Sequence, residues 1–254
     1  MSTYTRQNTF LLLTLLGISG SACTKGDPAA NGPHSTYRGS VQLVDEFGKP
    51  IPDKGGVVVS VVDHETMNTS TDASGSFQLE LPLGAQRLAF AKTGYGTCQT
   101  PSLTITASPA TAPKAVTLGQ LSTTTVTFFR SWELIDYQWY RYMGRLNAPS
   151  TPAQPRYRRL FFSTSKNVSP TNYQATRLYT GSFSDGVQAN WYWFQDSIPQ
   201  TVMTREINPG PQDHVYGVAY GDNPAADSYV DAQSGLTIYP ALGKPLLPVF
   251  ECPR

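Results

Sequence analysis

GSVQLVDEFGKPIP at residues 39–52 opens the stretch whose reading decides the fold. It is followed by VVVSVV at 57–62, TDASGSFQLELPLG at 71–84 and LAFAKTGYG at 88–96. Val41 and Leu43 flank the polar Gln42, the alternation of a half-buried strand. Gly48, Pro50 and Pro52 interrupt that strand with turn chemistry. The run Val57–Val62 is short, apolar and β-branched, and reads as a strand covered on both faces. Asp72–Gly75 reads as a tight turn, with Gly75 free to take positive φ. After it Phe77, Leu79 and Leu81 share one face, and Ser76, Gln78 and Glu80 the other. Pro82 and Gly84 make the next turn, and Leu88 and Phe90 resume the alternation before Gly94-Tyr95-Gly96 closes it.

The pattern of Gly39, Val41, Gly48, Pro50, Ile51, Thr71-Asp72, Gly75, Phe77, Leu79, Leu81-Pro82, Gly84, Lys92, Gly94 and Tyr95 resembles the carboxypeptidase regulatory-like family. The resemblance covers about residues 36–118. It implies a transthyretin-type β-sandwich that packs beside other domains and carries no catalysis of its own. The three histidines, His34, His64 and His214, are scattered, so no zinc site of the metallocarboxypeptidase kind is expected.

The whole chain has 254 residues, enough for two cores, and a formal net charge of +1. That balance gives no reason to expect a nucleic-acid partner. Charged residues make up 15 %, and long Ala-, Leu-, Glu- and Lys-rich stretches are missing, which suits an all-β chain.

At the N-terminus Arg6 precedes the apolar run Phe10–Ile18, which has the length of a signal h-region and is too short for a membrane span. Ser21 and Ala22 then lead into Cys23. This looks like a bacterial lipobox, although Gly20 stands where leucine is usual, and plain secretion is the alternative. Residues 1–22 are thus read as a lipoprotein signal peptide and Cys23 as the lipidated residue. The expected location is the envelope of a Gram-negative bacterium, lipid-anchored to the outer membrane. Residues 23–35, rich in Gly and Pro, read as a tether. Cys98 and Cys252 remain; in an exported chain they form either a disulfide or two separate buried thiols.

From 119 to 254, strand-like runs recur at 123–129, 157–164, 175–183, 189–197, 214–222 and 235–242. Their spacing predicts a second sandwich, of immunoglobulin-like type. Two features carry candidate function. The aromatics Trp139, Trp191 and Trp193 are suited to stacking on sugar rings, or else are core. The charges segregate: Tyr137–Ser184 holds no acid but includes Arg156, Arg158 and Arg159, whereas Asp185–Asp231 is acidic apart from Arg205. The two blocks either pair across the sandwich or leave the arginines as one face for an anionic glycan. Asp222, Asn223, Asp227 and Asp231 supply oxygens suited to calcium without EF-hand spacing. No nucleophile elbow, phosphate loop or dinucleotide fingerprint is present.

Taken together, these readings predict a non-catalytic envelope lipoprotein with no cofactor and no metal. It acts as an accessory, scaffold or interaction module toward other envelope proteins. The alternative is a surface glycan-binding module using the aromatics of the second domain.

Overall fold

Residues His34–Val44 form strand β1, in which Tyr37, Val41 and Leu43 point inward and are buried. The computed structural model describes residues 32–135, 139–182, 192–210, 213–245 and 249–252, with backbone alone for 128–135, 139 and 140. The signal segment, Cys23, most of the tether and Trp191 lie outside the described residues.

Nine further strands follow β1 in the first half. They are β2 Val58–Val61, β3 His64–Ser70, β4 Ser76–Pro82, β5 Gly84–Gln86, β6 Leu88–Ala91, β7 Cys98–Gln99, β8 Leu103–Ile105, β9 Ala110–Thr111 and β10 Val116–Gly119. One sheet runs β10-β1-β4 with β9 also on β1, and a second runs β3-β2-β6-β7. Tyr37, Val41, Leu43, Phe77, Leu79, Leu81 and Leu118 from the first meet Val59, Val61, Leu88, Phe90 and Cys98 from the second in one apolar core.

The turn before β4 shows why this register holds. Asp72 Oδ1 accepts hydrogen bonds from the backbone N–H of Ser74 (2.9 Å) and Ser76 (3.0 Å) and from the Ser74 hydroxyl (2.6 Å). Gly75 sits at φ +89°, and a Cβ there would collide with the Val41 carbonyl oxygen. The expectation that VVVSVV is covered on both faces is corrected. Val57, Val59 and Val61 are buried, but Val58 is 43 % exposed. Although β2 is paired on both edges by β3 and β6, only one face of its sheet meets the core.

The second half contains β11 Val126–Ile135, β12 Trp139–Leu146, β13 Tyr157–Ser163, β14 Ala175–Thr180, β15 Tyr192–Pro199, β16 Val215–Asp222, β17 Tyr229–Val230, β18 Thr237–Ile238 and β19 Phe250–Cys252. Its sheets run β11-β12-β15 and β14-β13-β16-β19, with β17-β18 a small hairpin. Tyr142, Leu146, Phe194 and Ile198 of the first sheet pack on Leu160, Phe162, Ala219 and Cys252 of the second. A π-helical turn, Val202–Ile207, plugs that core with Val202, Met203 and Ile207. It ends at Asn208, φ +48°, whose N–H bonds to the Met203 carbonyl (3.0 Å). The chain is therefore all-β, as expected. The hairpin β11–β12 extends well beyond the expected run 123–129, and the run 235–242 shortens to the two-residue β18.

Strand β13 is buried along nearly its whole length. By strand periodicity, Arg158, Leu160 and Phe162 lie on one side and Arg159 and Phe161 on the other. The first side enters the inter-sheet core. The second meets a separate cluster with Val168, Tyr216 and Val218, flanked by Tyr239 and Leu242. Pro33–Arg254 form one compact unit containing all these cores.

Candidate functional site

The arginines expected as a possible ligand face are internal. Arg158 is 1 % exposed. Its Nε donates to Asp196 Oδ2 (2.6 Å), its Nη2 to Asp196 Oδ1, and its Nη1 to the Gly181 carbonyl (2.8 Å). The guanidinium lies 4.0 Å over the Phe194 ring. Tyr142 donates its hydroxyl proton to Asp196 Oδ2 (2.9 Å), and burial, with the Asp196 charge beside it, holds that phenol well above its ordinary pKa. Arg159 pairs with Asp222 (2.7 Å) and stacks on Tyr239 at 3.5 Å. Burial raises the Asp222 carboxyl despite that partner. Arg156 donates to Thr124 Oγ1 (3.1 Å) and the Pro149 carbonyl (3.3 Å), and its guanidinium sits 5.4 Å from the Phe47 ring. Arg177 pairs with Glu206. Arg158, Arg159 and Arg177 thus pair with residues of the acidic block, whereas Arg156 is held by Thr124 and Pro149; Arg156, Arg158 and Arg159 are all buried and do not form one exposed face. Of the three, only Arg158 holds its carboxylate through two N–H groups; Arg159 holds Asp222 through Nε alone.

Trp139 and Trp193 lie on neighbouring strands: Trp139 pairs with Pro199, and Trp193 with Arg145. Trp193 is half-buried. The side chain of Trp139 and the whole of Trp191 lie outside the described residues.

Cys98 and Cys252 are free, buried thiols. Cys98 belongs to the first core and Cys252 to the second, so the disulfide alternative is corrected in favour of two separate thiols. Burial, reinforced by the Asp227 charge, pushes Cys98 up to about 11. Burial also raises Cys252.

The four residues weighed as calcium ligands are divided among separate tasks, and no group of three acidic, His or Cys side chains with metal-site geometry occurs among the described residues. Asp222 holds Arg159. Asp231 caps its own turn through the Ser234 N–H (2.7 Å) and hydroxyl (2.7 Å). Asn223 and Asp227 instead bind the first half of the chain. Asn223 Nδ2 donates to the carbonyls of Asp45 (2.9 Å) and Gln120 (3.1 Å). Asp227 holds the Thr117 backbone twice: its N–H donates to the Thr117 carbonyl (2.9 Å), and its side-chain Oδ2 accepts the Thr117 N–H (2.8 Å). Its Oδ1 accepts from Lys114 Nζ (3.0 Å). From the other side, Glu46 Oε2 accepts the N–H (2.8 Å) and hydroxyl (2.6 Å) of Thr123. Gly119 is backed by the Asn223 amide, and a Cβ there would meet it at 2.5 Å. A sutured seam therefore joins the strand pair β1–β10 to the loop 223–228.

Beside this seam the first sandwich is open along one edge. A recess of about 390 Å³ lies there, walled by Tyr37, Phe77, Phe90 and Cys98, with Lys114 and Asp227 at its mouth. It exists because β9 and β10 do not follow β1 continuously. Thr111 pairs with Arg38 and Val116 with Val41, so the chain takes five steps where β1 takes three. The Ala112 N–H still bonds to the Arg38 carbonyl (2.7 Å), and the surplus falls in Pro113–Ala115, which arches off β1; Pro113 has no N–H for a ladder. Facing it, β7 is only two residues long. Sequence reading found neither feature. Asp227 meets Thr117 across 110 positions, and nothing local marks that meeting.

No family model matches this chain, and no curated protein matches it. Among solved structures, a DUF3823 family protein from Parabacteroides merdae is 12 % identical, covering 88 % of this chain and 100 % of its own, with a TM-score of 0.28. A protein from Bacteroides uniformis proposed to bind carbohydrate is 10 % identical over 88 % of this chain and 100 % of its own, with a TM-score of 0.30. A cohesin–X–dockerin complex from Acetivibrio cellulolyticus aligns with 34 % of this chain and 58 % of its own at 20 % identity, with a TM-score of 0.28. At these scores the likeness assigns neither a family nor a function.

Proposed function

We propose that this chain is a non-catalytic lipoprotein of the cell envelope, anchored through Cys23, whose two sandwiches act as one rigid interaction module for other envelope proteins. The seam carries this reading. Asn223, Asp227 and Glu46 bind backbone on the opposite half, so the second sandwich is held at a set position on the first. Such a joint transmits position from an anchored base to a distal face, which a flexible linker does not do. The buried arginine–carboxylate pairs fit the same role. They are buried, and neither the Arg158–Asp196 nor the Arg159–Asp222 pair lines the open recess.

The test places a photo-crosslinking residue at the exposed positions Val58, Leu178 and Val230 in the full chain, expressed in its native envelope. The expected result is a discrete adduct at one of these positions with a protein identifiable by mass spectrometry. Metabolic labelling with a clickable fatty acid is expected to mark the wild type and not Cys23→Ser. Absence of any protein adduct, together with retention on a neutral or anionic polysaccharide, would replace this reading with the glycan-binding one.

A further inference from the structure

The recess at the edge of the first sandwich has the properties of a small-molecule site. Its walls are preformed. Phe77 is the cross-strand partner of Gly39, and its ring lies across that glycine, where a Cβ would meet Phe77 Cζ at 2.6 Å. Phe77 then packs edge-on to Phe90 at 5.7 Å and tilted against Tyr37 at 6.4 Å. Each ring wedges the next, so the cavity does not need to be opened by its occupant. Its volume of about 390 Å³ falls in the ordinary range for pockets that hold small ligands. The Cys98 thiol, pushed up to about 11, is neutral at physiological pH and adds to the apolar wall.

The mouth carries one cation, Lys114, beside one carboxylate, Asp227. Lys114 has a side chain 73 % exposed, and only one of its three N–H groups is engaged by Asp227. Ser40, Thr100 and Ser228 also line the recess. Asp227 is its one acidic lining residue, and both of its oxygens already accept bonds, from Lys114 and from the Thr117 N–H.

We propose that this recess binds a small amphiphilic acid, with an apolar or aromatic body among Tyr37, Phe77 and Phe90 and an anionic head on Lys114. The cation at the rim and the dry aromatic interior select both ends of the ligand. A neutral apolar molecule satisfies only the interior, and a hydrophilic anion only the rim. The site lies between the first sandwich and the loop that makes the seam, which supplies Asp227 and Ser228, and it needs no protein partner to form.

The probes are anilinonaphthalene sulfonate and its uncharged counterpart, phenylnaphthylamine, titrated by fluorescence into the full chain. Wild type is expected to bind the sulfonate at one site. Lys114→Gln is expected to weaken the sulfonate roughly tenfold or more, the effect of losing a hydrogen bond to a charged group, and to leave the uncharged dye unchanged. Ala115→Phe, which fills the arch from its inner side, is expected to weaken both dyes. Circular dichroism checks the fold of each variant. If Ala115→Phe fails to fold, Lys114→Gln remains decisive, because its side chain stands in solvent. The proposal is overturned if wild type binds neither dye, or if Lys114→Gln binds both as wild type does.

Discussion

Replacing Asn223 with alanine tests the seam most directly, because this one side chain of 2 % exposure bonds to the chain just past the C-terminal end of both strands it sutures. Its amide donates to two carbonyls. The Asp45 carbonyl also accepts the Gly48 N–H (3.0 Å), so it keeps a partner when Asn223 is cut back. The Gln120 carbonyl has no second donor among the described residues. The loss is therefore one net hydrogen bond of about 1 kcal/mol plus one desolvated and unpaired carbonyl of about 1–3 kcal/mol, or about 2–4 kcal/mol in all. For a chain of this size that lowers the thermal midpoint by roughly 5–15 °C.

Asn223→Asp sharpens the test. A carboxylate aimed at two carbonyls is destabilised in its charged form, so its folded pKa rises above the ordinary value of about 3.9. A group raised in this way holds its proton in the folded state. Its contribution is therefore full below the unfolded pKa and is lost as pH climbs through the folded one. Asn223→Asp should thus recover stability on acidification relative to wild type, whereas Asn223→Ala should not. Urea unfolding followed by tryptophan emission and circular dichroism reads both. A loss smaller than about 0.5 kcal/mol for Asn223→Ala would refute the claim that these bonds hold the halves together, since surface substitutions lie in that range.

Three further outcomes follow from the same structure. Arg158→Met strands Asp196 in the core and should cost about 3–5 kcal/mol, while adding Asp196→Leu should restore most of it; a double-mutant cycle in urea measures this. Gly75→Ala should cost at least about 1–3 kcal/mol from backbone strain alone, read as a shift in the denaturation midpoint. Cys98 is raised from about 8.5 to about 11, so its contribution to stability should be intact below the first value and fade through the second. Cys98→Ala should flatten that part of the stability–pH curve, and an unchanged slope would contradict the buried thiol.

How far the sequence alone reached can be argued from single strands. The first half was legible because each of its strands has one wet face. Alternation in β4, with Phe77, Leu79 and Leu81 inward, and the Asp72–Gly75 turn are both local signals. Val58 escaped because a run of valines looks the same whether one face or two are covered. The β11–β12 hairpin was harder, since aromatics fall at both odd and even positions along its sequence and blur the period. The recess was illegible, because two surplus residues between β9 and β10 matter only once β1 lies alongside them.

The arginines carry a sharper lesson, because the sequence already excluded the single-face reading. In a strand, neighbours point to opposite sides, so Arg158 and Arg159 could never share one ligand-binding face. Each had to enter its own layer and find its own acid there, and the acidic block at 185–231 was the available source. Arg158 found Asp196 on β15, and Arg159 found Asp222 at the end of β16. An adjacent arginine pair that leads into an apolar run such as Leu160-Phe161-Phe162 therefore marks a central strand covered on both faces. Asp222 is followed in the chain by Asn223, and both line one small cavity with Arg159, which ties the interior of the second sandwich to the seam. A change at Arg159 should then be felt at the Asn223 contacts, and a double-mutant cycle between Arg159→Met and Asn223→Ala should show a coupling above about 0.5 kcal/mol. Strict additivity would mean that the core and the seam, though adjacent in sequence, respond independently.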